Sequence, residues 1–282
     1  MQKEISHLKK IGIPHLIVLA VVTWSCSSDD VTPLRNLTSY QITYMMGIDG
    51  PIQPEPGNGQ IVSVEYDTEG RPTRRTGALI PIPEVTGFAY TFTDLIYDVV
   101  TYSNNKVTIV KEDDSPDFEL DENWKELSIQ NGRITRVTNK RWQDQKIDTI
   151  DFYYDGNILL KTIQKTYRYS SGAGMYVSQA TIEKEFTFAN GNLEKIEGTE
   201  YGSEVSDGVL YHTVEVFSDY DQAPNPTKRL IIFDETFYRA LSKNNFRKYT
   251  LERRTVDGAL ADSMSRLWTF QYDEQGVPTF LP

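Results

Sequence analysis

One thiol and three imidazoles are available for nucleophilic or metal chemistry in these 282 residues: Cys26, His7, His15 and His212. His7 and His15 fall within the first 25 residues, so a Ser–His–Asp relay in the remainder would have to use His212. That residue stands in VLYHTVEVF, where apolar alternation predicts a strand and a half-buried structural role; no G-x-S-x-G nucleophile elbow accompanies it. Zinc takes three or four His, Cys or carboxylate ligands, which a single imidazole does not supply. The acidic run with Asp113, Asp114, Asp117, Asp121 and Glu122 offers oxygens of the kind calcium prefers. It lacks the glycine and the closing glutamate of an EF-hand loop, so it reads as a solvated loop. Paired carboxylates of the glycosidase kind have no diagnostic spacing, and 40 acidic residues always contain a pair by choice. Phosphate-binding glycine loops and dinucleotide fingerprints are absent. The sequence assigns no catalytic residue, no metal and no cofactor.

Binding chemistry is better represented. Trp124, within the acidic run, and Trp142, in NKRWQDQK, stand among polar residues, and exposed indoles stack on sugar faces or on apolar partners. Partial burial under a loop is the alternative for each. Trp268 alternates within RLWTFQYDEQG and is assigned to the core.

Cys26 has a separate use. Lys3, Lys9 and Lys10 precede a mostly aliphatic run from Ile11 to Val22, the build of a secretory signal peptide over residues 1–25 and too short for a bilayer span. Thr23-Trp24-Ser25-Cys26 resembles a bacterial lipobox, in which the thiol receives a diacylglycerol and becomes the new N-terminus. With no second cysteine no disulfide forms, and acylation removes a thiol open to oxidation. Ser27, Ser28, Asp29 and Asp30 resemble the acidic export signal of Bacteroidota lipoproteins bound for the cell surface. The periplasm-facing leaflet is the alternative destination. Residues 26–38 then form a flexible tether and residues 39–282 a single domain.

Residues 1–25 carry Lys3, Lys9, Lys10 and Glu4; without them the 29 Lys+Arg and 40 Asp+Glu become 26 and 39, a formal charge of −13. That balance argues against nucleic acid and against anionic membrane surfaces as partners.

The body reads as strands and tight turns. IVSVEYDTEG, TIDFYYDGN, EFTFANGN and RLWTFQYDEQG each alternate apolar residues before Asp or Asn with a nearby Gly, the strongest short-range hairpin signal. Weaker copies occur at Asn104-Asn105, Asn131-Gly132 and Asp257-Gly258. The expected fold is all-β: a meander of about 10–14 antiparallel strands of ordinary length, forming a curled sheet or a closed soluble barrel. Lys161, Lys165 and Arg266 interrupt the apolar rows that a membrane-spanning barrel needs. Residues 112–127 are predicted to be a long loop. Phe233, Phe237 and Leu241 fall at helical spacing after Asp234, a candidate N-cap, which predicts one short helix near residues 234–242, packed over an open end or edge of the sheet.

The turns YDTEG, YDGN and YDEQG are similar to the YD repeats of large bacterial wrapping proteins. Together with Asn225-Pro226, Leu241-Ser242-Lys243-Asn244-Asn245 and Tyr272-Asp273, they resemble Bacteroidota lipoproteins assigned to a domain of unknown function with a porin-like fold. The resemblance spans most of residues 39–282 and implies a curled or closed antiparallel sheet; it brings no catalytic residue with it. The expected function is that of a surface lipoprotein, held in the outer membrane by its lipid, that binds an extracellular glycan or an outer-membrane protein without catalysis. A carboxylate-based polysaccharide hydrolase and a purely structural envelope component are the alternatives.

Overall fold

The computed structural model describes residues 35–47, 50–51, 60–81, 90–114, 123–141, 145–202 and 208–281. Cys26, Ser27, Ser28, Asp29, Asp30 and Trp142 lie outside them, as do Asp117, Asp121 and Glu122.

The strands in chain order are β1 (Ser39–Gln41), β2 (Met46–Gly47), β3 (Gly50–Pro51), β4 (Ile61–Tyr66), β5 (Pro72–Pro81), β6 (Tyr90–Ser103), β7 (Lys106–Asp113) and β8 (Asn123–Gln130). They continue with β9 (Arg133–Arg141), β10 (Lys146–Asp155), β11 (Ile158–Ser170), β12 (Met175–Ala189), β13 (Asn192–Tyr201), β14 (Val209–Tyr220), β15 (Phe246–Thr255) and β16 (Leu260–Leu267). β2 and β3 pair with each other; all the others form one 14-stranded antiparallel meander running β1, β4, β5 and onward in sequence to β16. The sheet curls but does not close. Between its two edges runs the C-terminal segment: Gln41 N–H donates to the Phe280 carbonyl at 2.8 Å, and the Trp268 indole donates to the Thr43 carbonyl at 3.0 Å. Trp268 is buried as expected, although it follows β16 rather than lying in a strand.

Because a meander reverses at alternate ends, the turns divide into two sets. One end, called the near end, holds the short turns after β4, β6, β8, β10 and β12, where most of the Asp/Asn and Gly signals fall; Asp257-Gly258 turns at the opposite end, between β15 and β16. The YD turns explain themselves chemically. Asp67 accepts from the backbone N–H of Glu69 and Arg71 at 2.9 and 2.8 Å, and Asp273 accepts from Gln275 and Val277 at 2.9 and 3.0 Å. Gly70 and Gly276 each close their turn with φ near +73°, a conformation that costs a residue with Cβ but not glycine. The tyrosines act one strand over. Tyr66 donates to the Leu37 carbonyl at 2.7 Å, Tyr102 to Pro72 at 2.9 Å, Tyr154 to Ile134 at 2.9 Å, and Tyr220 to Leu193. Each phenol ties the end of its strand to the beginning of a neighbouring segment, so the repeat is a staple between hairpins.

The inner face of the curl is the core. Val107, Leu127, Val137 and Ile150 lie side by side on β7 to β10 and are buried. The interior is filled by the connection between β14 and β15. It contains 3-10 turns at Pro226–Leu230 and Asp234–Thr236 and one helix, α1 (Phe237–Ala240). Asn225 starts it by accepting from Thr227 N–H at 2.9 Å while donating to the carbonyls of Arg239 and Ser242. The Leu241–Asn245 stretch docks its exit: Ser242 accepts from Leu193 N–H at 3.0 Å and Lys243 N–H donates to the Gly191 carbonyl at 2.8 Å.

One expectation needs correction here. The helix is a single turn preceded by a 3-10 turn, with Thr236 rather than Asp234 at its N-cap. Of the expected open end or edge it takes the end, docked from within the curl: Phe237 and Tyr238 pack edge-on or tilted against Phe152, Phe186 and Phe217 from β10, β12 and β14. Apolar spacing marked the segment as helical, but the aromatic inner wall decided where it docks.

The outer face carries charge at mid-strand. One lateral row reads Tyr153, Lys161, Glu185, Glu197, Val214, Glu252 and Ser263 across β10 to β16. Arg136–Asp151 and Lys161–Glu183 pair on this face at 2.6 and 2.5 Å. A lipid-facing strand surface loses about 2–4 kcal/mol for each cation at the midplane, and the backbone of an open sheet edge finds no partner in hydrocarbon. The outer face is built for water.

Candidate functional site

Two regions combine side chains with chemical potential: the buried polar clusters that hold the interior segment, and one band of the outer face.

The interior clusters are saturated with one another. Arg75 is buried on β5 and meets Asp98 at 3.0 Å, the Tyr40 hydroxyl at 3.2 Å and Glu235 from the interior segment. Burial alone would lower its pKa, but the Glu235, Tyr40 and Asp98 oxygens outweigh this and hold it well above the usual arginine value. Lys184 on β12 reaches Glu215 at 3.1 Å and the Tyr238 hydroxyl at 2.7 Å, while Tyr249 donates to Glu215 at 2.8 Å. Its ammonium pays the same desolvation penalty and is again held above the usual lysine range by Tyr238 and Glu215. Lys125 on β8 donates to the Ile232 carbonyl at 2.8 Å and to Asp234 at 2.5 Å. Beside Lys184, Phe152, Phe186 and Phe237 leave a cavity of about 10 Å³, room for one water molecule. Among the described residues the buried carboxylates are engaged: Asp98 and Glu235 by Arg75, Glu215 by Lys184 and Tyr249, and Asp148 by the Thr166 hydroxyl at 2.6 Å. Hydrogen bonds within exposed turns lower the pKa of Asp67, Asp257 and Asp273.

Arg239 is different. It is buried in α1 between the rings of Phe246, Trp268, Phe270 and Phe280, 4.1 to 5.5 Å from their centroids. It donates to the carbonyls of Tyr44 and Phe246 at 2.6 and 2.9 Å; its Nη2 has no partner among the described residues. Burial pulls its pKa down to about 9. This cation organises the closure of the near end and is walled off from ligands.

His212 lies on the outer face of β14, exposed rather than half-buried, opposite Thr199 and Arg254, with the Thr199 hydroxyl 3.4 Å from Nδ1. The strand's alternation was read correctly, but not which of its two faces is wet. Among the described residues, no group of three or more His, Cys, Asp or Glu side chains is placed to hold a metal ion.

Trp124 corrects the loop expected over residues 112–127. Glu112 and Asp113 end β7, and Trp124 is the second residue of β8, half-buried on the outer face. Its neighbours in register are Val110 on β7 and Lys140 on β9. The row continues to Val99 on β6 in one direction and to Ile147 and Tyr167 on β10 and β11 in the other. Two residues nearer the turns, the parallel row on the same face is Thr101, Thr108, Glu126, Thr138, Thr149, Lys165 and Thr181. Single-strand reading could not find Val110, Ile147, Tyr167 or the threonines as a group, because register across strands brings them together. Trp142 lies outside the described residues, so the pairing of the two indoles is not placed.

No protein-family model matches the chain, and no curated protein matches it. Among solved structures, a porin-like protein from Bacteroides vulgatus ATCC 8482 is similar with a TM-score of 0.48 and 11% sequence identity, over 79% of this chain and 87% of that one. A porin-like protein from Bacteroides uniformis ATCC 8492 is similar with a TM-score of 0.46 and 12% identity, over 78% of this chain and 80% of that one.

Proposed function

We propose that this chain is a lipoprotein acylated on Cys26, carried in the outer membrane and exposed at the cell surface, whose β body binds an extracellular glycan or an outer-membrane protein without catalysis. The observation that carries the reading is where the chain enters the body. Arg35 pairs with Asp273, Asn36 accepts from Arg229 at 2.8 Å, and Arg229 also donates to the Gly70 carbonyl at 3.0 Å. These are near-end turns. The residues from Cys26 to Leu34 extend at most about 30 Å, so a lipid on Cys26 keeps the near end close to the bilayer. The Trp124 row stands about 20 Å or more up the strands from the near-end turns, on the part of the sheet that such an anchor leaves accessible. Acyl chains bury enough methylenes for stable anchoring, and the charged outer face supports a body surrounded by water.

Replacing Cys26 by serine should abolish palmitate labelling and release the protein from the membrane fraction, with the wild type labelled and membrane-bound. A wild type that takes up no label and is found free in the medium overturns the anchor. For the binding half, a glycan array and a pull-down from detergent-solubilised membranes should give at least one specific ligand. Silence in both, together with polymer hydrolysis by the pure protein, reverses the ranking in favour of a carboxylate-based hydrolase.

A further inference from the structure

We infer that the outer face of β6 to β11 is the ligand platform and that its ligand is a neutral polysaccharide chain laid across the strands; this rests on the reading of the protein as a glycan binder.

A pyranose ring has an apolar C–H face and an equator of hydroxyls, and the two adjacent rows match that division. The first presents Val110 and Trp124 on one side of Lys140 and Ile147 and Tyr167 on the other, two apolar and aromatic pairs with one cationic side chain between them. The second presents Thr108, Thr138 and Thr149, each half-buried, two residues away on the same strands. The hydroxyls of these threonines and the Trp124 indole N–H have no hydrogen-bond partner among the described residues, and the Tyr167 phenol stands within electrostatic reach of Arg136. Charge selects the ligand class. Within the second row Glu126 and Lys165 balance, and Glu126 is itself held by Lys106 at 2.7 Å. Lys140 of the first row and Lys165 of the second stand two strands apart, and the chain's net charge of −11 opposes a polyanion. From Val99 to Tyr167 the row crosses five strand spacings, roughly 24 Å at the usual interstrand distance, a length that takes several rings of an extended chain. Both rows stand on strands paired along both sides, so little ordering of the backbone is required on binding.

The test uses the full-length protein without its lipid, as Cys26→Ser, in affinity electrophoresis through gels containing a soluble β-1,3-glucan, an α-1,4-glucan, a neutral xylan or anionic pectate. Retention by at least one neutral polymer is expected and none by pectate. Trp124→Ala and Tyr167→Ala should each bind about tenfold more weakly, the loss of one stacking partner. The Thr108→Val/Thr138→Val/Thr149→Val variant keeps shape and strand propensity and should also bind about tenfold more weakly, so a folding defect at Trp124 does not decide the outcome. Retention that survives all three variants overturns this platform and leaves glycan binding standing elsewhere. Absence of retention by every neutral polymer, retention by pectate alone, or capture of a membrane protein through these same residues overturns the ligand class.

Discussion

Replacing Arg75 by methionine should lower the free energy of unfolding by about 3–5 kcal/mol, the usual cost of removing one partner from a buried ion cluster. The side chain is 7% exposed, and its two carboxylate partners come from different parts of the chain: Asp98 from β6 and Glu235 from the interior segment. Methionine fills much of the volume but leaves both carboxylates and the Tyr40 hydroxyl without their cation. Arg239→Met provides the contrast. Among the described residues no carboxylate is ion-paired with Arg239. Asp221, which acts on it electrostatically, keeps its bonds from Asn245 and Tyr272, so methionine there leaves no stranded anion. The loss is two hydrogen bonds to backbone carbonyls, about 1–3 kcal/mol for each group left unsatisfied, offset by relief of a desolvated charge. Urea unfolding at pH 7 should therefore place Arg75→Met below Arg239→Met. The reverse order would mean that the interior segment is held by the aromatic cage rather than by the ion cluster. Double replacement of Arg75 and Glu235 by methionine should recover part of the loss, since it also removes one stranded charge, and no recovery would argue that the two side chains do not interact.

The fold was legible where local chemistry dictates it. Asp, Asn and Gly at the turns after β4, β6, β8, β10 and β12 impose a reversal within a few residues, and those near-end turns lie at or within one residue of the pairs that signal them. Asn225-Pro226 and Leu241–Asn245 were visible as motifs, but their use is non-local: they fasten the interior segment to the β12–β13 turn and to their own helix. That docking depends on the aromatic inner wall, whose members are far apart in sequence. The candidate platform was half legible. An indole in polar company marked Trp124, while the acidic residues around it suggested a loop and concealed its strand. Val110, Ile147, Tyr167 and the threonines each look like ordinary strand residues, and only the register of β7 to β11 makes a surface of them.

Raising the pH should unfold the protein cooperatively between about pH 10 and 12, with buried tyrosines ionising only as the structure is lost. Burial pushes the phenols of Tyr102, Tyr154 and Tyr220 up to about 12, and raises those of Tyr40, Tyr66 and Tyr249 further. An unfolded tyrosine titrates near 10. Below that value both states keep the proton and the contribution of these groups to stability is fully present. Above it the unfolded chain releases protons that the native state retains, so stability falls until the native phenols titrate as well. With partial exposure discounted, each staple forfeits on the order of 1–2 kcal/mol across this window, and the group together approaches a typical domain's entire 5–15 kcal/mol. Lys184, held above its ordinary value, acts in the same direction; Arg239, held below its own, acts against it as a single group. Tyrosinate absorbance should rise in two phases, an early one from exposed phenols and a later one coinciding with loss of near-ultraviolet circular dichroism. Tyr154→Phe separates the two roles of a staple. It should cost about 1 kcal/mol at pH 7 by removing the bond to the Ile134 carbonyl, yet move the alkaline midpoint upward, because phenylalanine has no proton to lose. A single absorbance wave near pH 10 with the dichroism unchanged, or a Tyr154→Phe variant less stable than the wild type by the same margin at both pH 7 and pH 11, would show that these phenols are open to solvent and do not bind the hairpins together.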